Sequence, residues 1–220
     1  MLGSSAMGEP ARKLETFDEV RVRSVPTFEE TWKKIEQLPQ GVTGEILEPG
    51  VISTMARPRS KHRRAAGQLY RALGSADLAS GGTGWWIEQE PDVRFGDRTT
   101  SPDIAGWRVE RCPDPPDGSP ITLLPDFCCE ILSPSTVRKD RSKKLPLYAR
   151  SGVEWIWLID PELYLVEVYQ SMQGRPVLIE TAEENDCIKL PPFDFEINFA
   201  PFWIIPKNPE PETEPGLTPL

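Results

Sequence analysis

Two carboxylates stand inside apolar runs, where a strand usually carries uncharged side chains. Asp103 opens one strand-like run, and Glu130 lies in the middle of another, residues 127–132. Burying a charge is costly unless the charge is paired or binds a metal ion. Glu130 therefore needs a partner. A divalent cation is one candidate, and a lysine of the following helix-like stretch, Lys143 or Lys144, is the other.

The elements that would position these acids are strands interleaved with a few helices. The capping box Thr27-Phe28-Glu29-Glu30 predicts a helix that runs to about residue 38. Helical spacing of apolar residues predicts two more helices, at 60–78 and at about 138–150. The predicted strands are 42–48, 51–55, 85–95, 103–109, 126–132, 154–159, 164–169, 176–180 and 195–199. We therefore expect an α/β or α+β fold with a mixed β-sheet flanked by helices.

Length and composition predict one folded domain with two tails. The chain has 220 residues, including 24 prolines. Residues 1–24 show no periodicity, and residues 206–220 are rich in Pro and Glu. We expect both to be disordered and residues 25–205 to form the domain. No apolar run is long enough to cross a bilayer, and the first ten residues do not resemble a signal peptide, so we expect a cytoplasmic protein without a membrane partner.

The charge is unevenly distributed. The net charge of −9 argues against a general nucleic-acid coat protein. Two short stretches are nevertheless basic, and either could contact DNA phosphates or simply be a solvated helix face. The first stretch contains Arg57, Arg59, Lys61, His62, Arg63 and Arg64, and the second contains Arg138, Lys139, Arg141, Lys143 and Lys144.

The single histidine and the absence of a Cys-x-x-Cys pair argue against a zinc site.

Several separate motifs together resemble one known family. They are Gly44-Glu45-Ile46, residues 58–62, Pro102-Asp103, residues 130–135, Asp140-Arg141-x-x-Lys144-Leu145-x-x-Tyr148, Gly152-Val153 and residues 157–161. In order and spacing they resemble the Uma family of restriction-endonuclease-like proteins, within the PD-(D/E)XK nuclease superfamily. The resemblance covers about residues 25–205 and implies the restriction-endonuclease-like fold.

The resemblance implies a metal-dependent endonuclease that hydrolyses DNA with Mg²⁺ or Mn²⁺. Asp103 and Glu130 would bind the metal, and Glu45 would bind it through water or support a second ion. The superfamily places a lysine two residues after the second acid, where this chain has Leu132. Lys144 matches the lysine that the family carries on the next helix, and it would stabilise the attacking water or the phosphate charge.

Simpler interpretations remain open for these residues. Glu130 and Lys144 could form a plain buried ion pair, and Glu45 could be an exposed strand acid. His62 is more typical of a structural residue or a phosphate contact than of a catalytic base. Tyr148 is more typical of a core aromatic. At four-residue spacing, Asp140, Lys144 and Tyr148 would share one helix face, while Lys143 would point elsewhere. Glu88 and Glu90 are expected to face solvent.

Two other functions compete with cleavage. The chain could be a catalytically inactive nuclease-fold module for DNA binding or assembly, or a hydrolase of small molecules. The basic stretches argue against the latter, because a small substrate needs no extended phosphate-binding surface. Cleavage of both DNA strands requires two sites, so we also expect a homodimer. Its apolar interface would come from the aromatic runs 85–87 and 155–157, although these tryptophans could equally belong to the core.

Overall fold

The computed structural model describes residues 24–54 and 59–205 of the chain. Arg57, the predicted tail 206–220 and nearly all of the predicted lead 1–24 lie outside these ranges. The helices are α1 (Phe28–Ile35), α2 (Ser60–Leu73), α3 (Val137–Lys139) and α4 (Leu145–Ser151), with a π-helical turn, Asp140–Lys144, between the last two. Short 3₁₀ turns cover Leu78–Ser80 and Ala200–Phe202.

The strands form two main sheets and a short hairpin. They are β1 (Gly44–Glu48), β2 (Val51–Thr54), β3 (Trp85–Gln89), β4 (Val93–Phe95), β5 (Arg98–Thr100), β6 (Ile104–Arg108), β7 (Phe127–Ile131), β8 (Trp155–Asp160), β9 (Leu165–Met172), β10 (Arg175–Glu183), β11 (Cys187–Lys189) and β12 (Glu196–Asn198). The large sheet has the order β10-β9-β8-β7-β6-β3, and the small sheet has the order β2-β1-β5-β4. Strands β11 and β12 pair with each other.

The large sheet is mixed, as the sequence predicted. Strands β7 and β8 run parallel, and the other neighbours in this sheet are antiparallel. The α3–π–α4 segment connects the parallel pair, which is the usual way to join two parallel strands. Every residue of β7 is buried. Its charged residue, Glu130, is therefore held in the interior by the sheet itself.

Helices cover both faces of the large sheet. Helix α2 packs Ala65, Leu69 and Leu73 against one face, and α4 packs against the opposite face. Cys128 and Cys129 point to these opposite faces, as adjacent strand residues must. Helix α2 ends at Leu73, five residues earlier than predicted, where Gly74 closes the last turn. No helix in the described ranges combines the length and apolar character of a membrane span.

The predicted strand 85–95 is in fact two strands in different sheets. Strand β3 is an edge of the large sheet, whereas β4 joins the small sheet. The chain changes direction at Glu90, which has a φ of 48°, and at the following Pro91, which has no N–H for a ladder. This break also explains the small sheet, because β4 pairs with the short strand β5 that the sequence pattern did not reveal.

The tryptophans of the two aromatic runs lie mainly in the core. Trp85 and Trp157 are buried, and Trp157 stacks edge-on against Phe127 and Phe193. Strand β8, which carries Trp157, lies inside the large sheet between β7 and β9. The run 155–157 is therefore committed to the fold rather than free for a dimer interface. The homodimer itself stays a prediction.

Candidate active site

One pocket gathers several of the residues that the sequence singled out. Its volume is about 420 Å³, and it opens at the ends of β6 and β7. Its charged and imidazole side chains are Arg59, His62, Glu90, Asp103, Glu130, Asp140 and Lys144. Its remaining lining is Gly41, Thr43, Ser101, Ile131, Ser133, Ser135 and Thr136. The lining therefore offers carboxylates, cations and hydroxyl groups in one cavity.

Asp103 and Glu130 come together because of the strand register. Ile104 pairs with Cys129 across β6 and β7, so the residue before β6 lies beside the end of β7. The N–H of Ile131 donates to Asp103 Oδ2 at 2.7 Å. His62 Nε2 lies 3.1 Å from the other oxygen, Oδ1. Asp103 is thus fixed between the end of β7 and the first turn of α2.

Asp103 also affects the protonation of His62. Burial lowers the pKa of the imidazole, but the hydrogen bond to Asp103 and the charges of Asp103, Glu90 and Asp140 outweigh it. The net effect is a raised pKa. His62 Nδ1 is buried without a hydrogen-bond partner among the described residues.

Glu130 is almost completely buried and is held at both oxygens. Lys144 Nζ donates to Oε2 at 2.9 Å, and the Tyr148 hydroxyl donates to Oε1. Burial raises the pKa of this carboxyl well above its usual range, although the charge of Lys144 opposes the shift. The nearby carboxylates of Asp140, Asp103 and Glu45 raise it further. A positive charge in the pocket would therefore stabilise ionised Glu130.

Lys144 is the buried cation of the site. Its ammonium lies 2.7 Å from Glu45, 2.9 Å from Glu130 and 3.9 Å from Asp140. Burial alone would lower its pKa, but these three carboxylates outweigh burial and raise it. The ammonium therefore keeps its proton at neutral pH. The structure shows the buried ion pair with Glu130 that the sequence left open, and it also places Lys144 on the pocket wall.

A π-helical turn places the helix residues of the site. The N–H of Leu145 bonds to the carbonyl of Asp140, one residue further back than in an α-helix. Lys144 and Tyr148 both donate to Glu130, and Asp140 lies 3.9 Å from the Lys144 ammonium, which confirms the predicted shared face. Lys143 instead points outward, where it pairs with Glu48 at the surface.

Glu45 is neither an exposed strand acid nor part of the pocket lining. It is fully buried in β1. One oxygen lies 2.7 Å from the ammonium of Lys144 and accepts from the N–H of Ser101, and the other accepts from Lys139 at 2.8 Å. Glu45 is expected to bind the metal through water or to support a second ion, and in this structure each of its oxygens contacts a lysine. In this arrangement Glu45 is the counter-charge that holds Lys144 in place.

The donor set suits a hard divalent cation. Within residues 24–54 and 59–205, no three His, Cys, Asp or Glu side chains are arranged to hold a metal by themselves. Asp103 and Glu130 nevertheless both line the pocket, and Mg²⁺ is usually bound by one or two carboxylates together with water and substrate phosphates. When ionised, the four lining acids Glu90, Asp103, Glu130 and Asp140 exceed the two lining cations Arg59 and Lys144 by two negative charges, with His62 neutral. One divalent cation would balance them.

The two basic stretches differ in how much charge they leave for a ligand. In the first, Arg59 and His62 line the pocket, while Lys61 pairs with Glu162 and Arg64 donates to the carbonyl of Pro201. In the second, four of the five cations pair with acids: Lys139 with Glu45, Arg141 with Glu167, Lys143 with Glu48, and Lys144 with Glu45 and Glu130. The second stretch therefore stabilises the fold more than it forms a basic surface.

Two site residues were missed by the sequence analysis. Glu88 and Glu90 are exposed, as expected, but Glu90 also lines the pocket, because the turn before Pro91 directs the chain back toward Asp103. Tyr148 is a core aromatic as expected, but its hydroxyl reaches Glu130. Its position four residues after Lys144 was the available signal.

Comparisons with known proteins identify a family and a similar fold. The model of the family Uma2, described as "Putative restriction endonuclease", matches residues 32–200, more than half of the chain. Among solved structures, the fold is similar to that of "a putative nuclease belonging to DUF820" from Anabaena variabilis. That protein is 23% identical over 80% of this chain and 97% of its own, with a TM-score of 0.62. No curated protein matches the chain.

Proposed function

This chain belongs to the Uma2 family, and we propose that it is a metal-dependent endonuclease that hydrolyses phosphodiester bonds of DNA. The observation that carries the proposal is the meeting of Asp103, Glu130 and Lys144 in one pocket at the ends of β6 and β7. Two acids and a buried lysine at one sheet end supply what phosphate hydrolysis needs: oxygen ligands for a cation and a fixed positive charge.

In this proposal Asp103 and Glu130 hold Mg²⁺ or Mn²⁺. When bound, the ion neutralises the phosphate and lowers the pKa of a coordinated water. Asp103 is kept in place by Ile131 and His62, and Glu130 by Lys144 and Tyr148. Preorganised ligands of this kind need not reorganise when the substrate binds.

Lys144 supplies positive charge that does not depend on the metal. Its raised pKa keeps the ammonium charged at neutral pH. On the pocket wall, it can stabilise negative charge that develops on the phosphate oxygens. Glu45 and Asp140 prevent the ammonium from moving away.

In this proposal Arg59 and His62, which line the pocket at the start of α2, contact the DNA backbone. We retain the homodimer in this proposal, since cleavage of both strands requires two such pockets. Sedimentation that shows only a monomer at tens of micromolar would contradict the dimer.

The direct test is nicking of supercoiled plasmid by the purified chain. We expect nicked and linear DNA with Mg²⁺ or Mn²⁺ and intact plasmid with EDTA. Cleavage that continues in EDTA would contradict the metal dependence. Intact plasmid under all conditions would contradict the endonuclease itself.

A second candidate is a nuclease-fold module that binds DNA without cutting it. The observation that favours it is that both oxygens of Glu130 already accept hydrogen bonds from the protein. Calorimetric titration with Mn²⁺ separates the two functions, because the inactive module has no need of the ion. Binding of DNA without binding of Mn²⁺ would support the module.

A further inference from the structure

The hydroxyl of Tyr148 lies between the small sheet and the pocket. The side chain is fully buried, and its ring packs against Phe95 with the ring centroids 5.1 Å apart. A phenylalanine could provide that packing equally well. The hydroxyl is a separate feature, because a buried polar group needs partners. Thr100 and Glu130 provide two of them.

The chemistry of the partners sets the direction of these hydrogen bonds. The Tyr148 hydroxyl donates to Glu130 Oε1, which is the only direction open to it when the carboxylate is ionised, as a metal ligand must be. The Tyr148 oxygen then accepts from Thr100 Oγ1, which lies 2.8 Å away. A chain of donors thus runs from β5 of the small sheet, through α4, to the acid in β7.

These hydrogen bonds leave the Glu130 side chain little freedom to rotate. Lys144 holds one of its oxygens and Tyr148 holds the other. Each carboxylate oxygen has a second lone pair, so one hydrogen bond on each still leaves acceptor capacity for a cation. Partners that orient a metal ligand in this way typically contribute a factor of about 10–100 to metal affinity or activity.

We propose that Tyr148, supported by Thr100, is a positioning residue that fixes Glu130 for binding a divalent cation. The inference rests on the metal site of the proposed function. It assigns the tyrosine ring to the core and its hydroxyl to the site.

The test is the affinity for Mn²⁺, measured by calorimetry on the full chain without DNA. Tyr148→Phe keeps the ring and removes the hydroxyl, and we expect it to weaken Mn²⁺ binding by about 10–100-fold. Thr100→Val, which removes the donor to Tyr148, should weaken binding in the same direction by less. Tyr169→Phe is the matched control, because its hydroxyl bonds to Glu167, which is not in the pocket lining.

The possible outcomes separate this inference from the proposed function. Wild-type affinity in Tyr148→Phe, even with a lowered melting temperature, would show that the hydroxyl is only structural and would overturn the inference alone. An equal loss in Tyr169→Phe would also overturn it, since the effect would not be specific to Glu130. If Tyr148→Phe does not fold, Thr100→Val decides the question by the same criterion. If the wild type binds no Mn²⁺, both the inference and the metal-dependent function are overturned.

Discussion

The ammonium of Lys144 lies 2.9 Å from a carboxylate oxygen of Glu130, and both side chains are almost completely buried. A pair removed from water in this way is costly to break, because the remaining charge has no solvent to stabilise it. The contact therefore has two consequences. It makes Lys144 part of the fold, and it fixes a positive charge beside the acid that we propose as a metal ligand.

Removing this ammonium should destabilise the protein strongly. Lys144→Met leaves the buried acids Glu45, Glu130 and Asp140 without their common cation, which we expect to cost about 3–5 kcal/mol of unfolding free energy. Lys143→Met is the matched control, since Lys143 pairs with Glu48 at the surface and should have little effect. Urea denaturation measures both. Equal stability of the two variants would contradict the buried cluster.

The same cluster should show coupling between its members. Glu130→Gln in the Lys144→Met background removes one uncompensated acid, so the double variant should be less destabilised than the sum of the two single variants. Residues in direct contact typically show coupling of about 0.5–3 kcal/mol. A double-mutant cycle in urea measures it, and strict additivity would show that the two side chains do not interact.

Asp92 should make the stability depend on pH. Burial raises its pKa above the ordinary 3.8, the charge of Glu45 adds to this, and a hydrogen bond from Ser101 opposes it. The folded state then binds the proton more tightly than the unfolded state, so the free energy of unfolding falls as pH rises from about 4 through the raised pKa.

Asp92→Asn keeps an acceptor for Ser101 but cannot ionise. The free energy of unfolding of the variant minus that of the wild type should therefore be more positive at pH 7 than at pH 4. Chemical denaturation at both values measures the difference. Parallel behaviour of the two proteins across this range would show that the pKa of Asp92 is not raised.

DNA binding should depend on Arg59, which lies at the pocket. Each phosphate contact contributes about −0.9 to the slope of log affinity against log salt concentration. Arg59→Glu should weaken binding to all sequences alike. It should also make this slope shallower by at least about 0.9, the contribution of one phosphate contact. Arg150→Glu is a control at another exposed arginine, outside the pocket lining. Binding that is equally affected by both changes would contradict a specific role for Arg59.

Local signals in the sequence predicted several features of the helices. The capping box at Thr27 and Glu30 is present as expected, because both of its hydrogen bonds lie within one helical turn. The four-residue spacing of Lys144 and Tyr148 predicted their common face for the same reason. Where three or four neighbouring residues determine the geometry, the pattern was sufficient.

Contacts between distant elements could not be read in this way. The burial of Glu45 against Lys139 and Lys144 depends on the docking of β1 beside the α3–π–α4 segment, and Glu45 and Lys139 are 94 residues apart in the chain. The role of the Tyr148 hydroxyl depends on Thr100, in a strand of three residues that is too short to show a period. Apolar patterns report which side of an element is buried, not which polar group it meets there.

The most direct measurement is the rate of metal-dependent plasmid nicking by Asp103→Asn compared with Asp97→Asn. The first change removes a proposed metal ligand, and the second alters an exposed acid in the turn between β4 and β5. We expect Asp103→Asn to lose at least about 100-fold in rate, since even the partners of metal ligands contribute about 10–100-fold. Asp97→Asn should nick like the wild type. Nicking by folded Asp103→Asn at the wild-type rate would contradict the account.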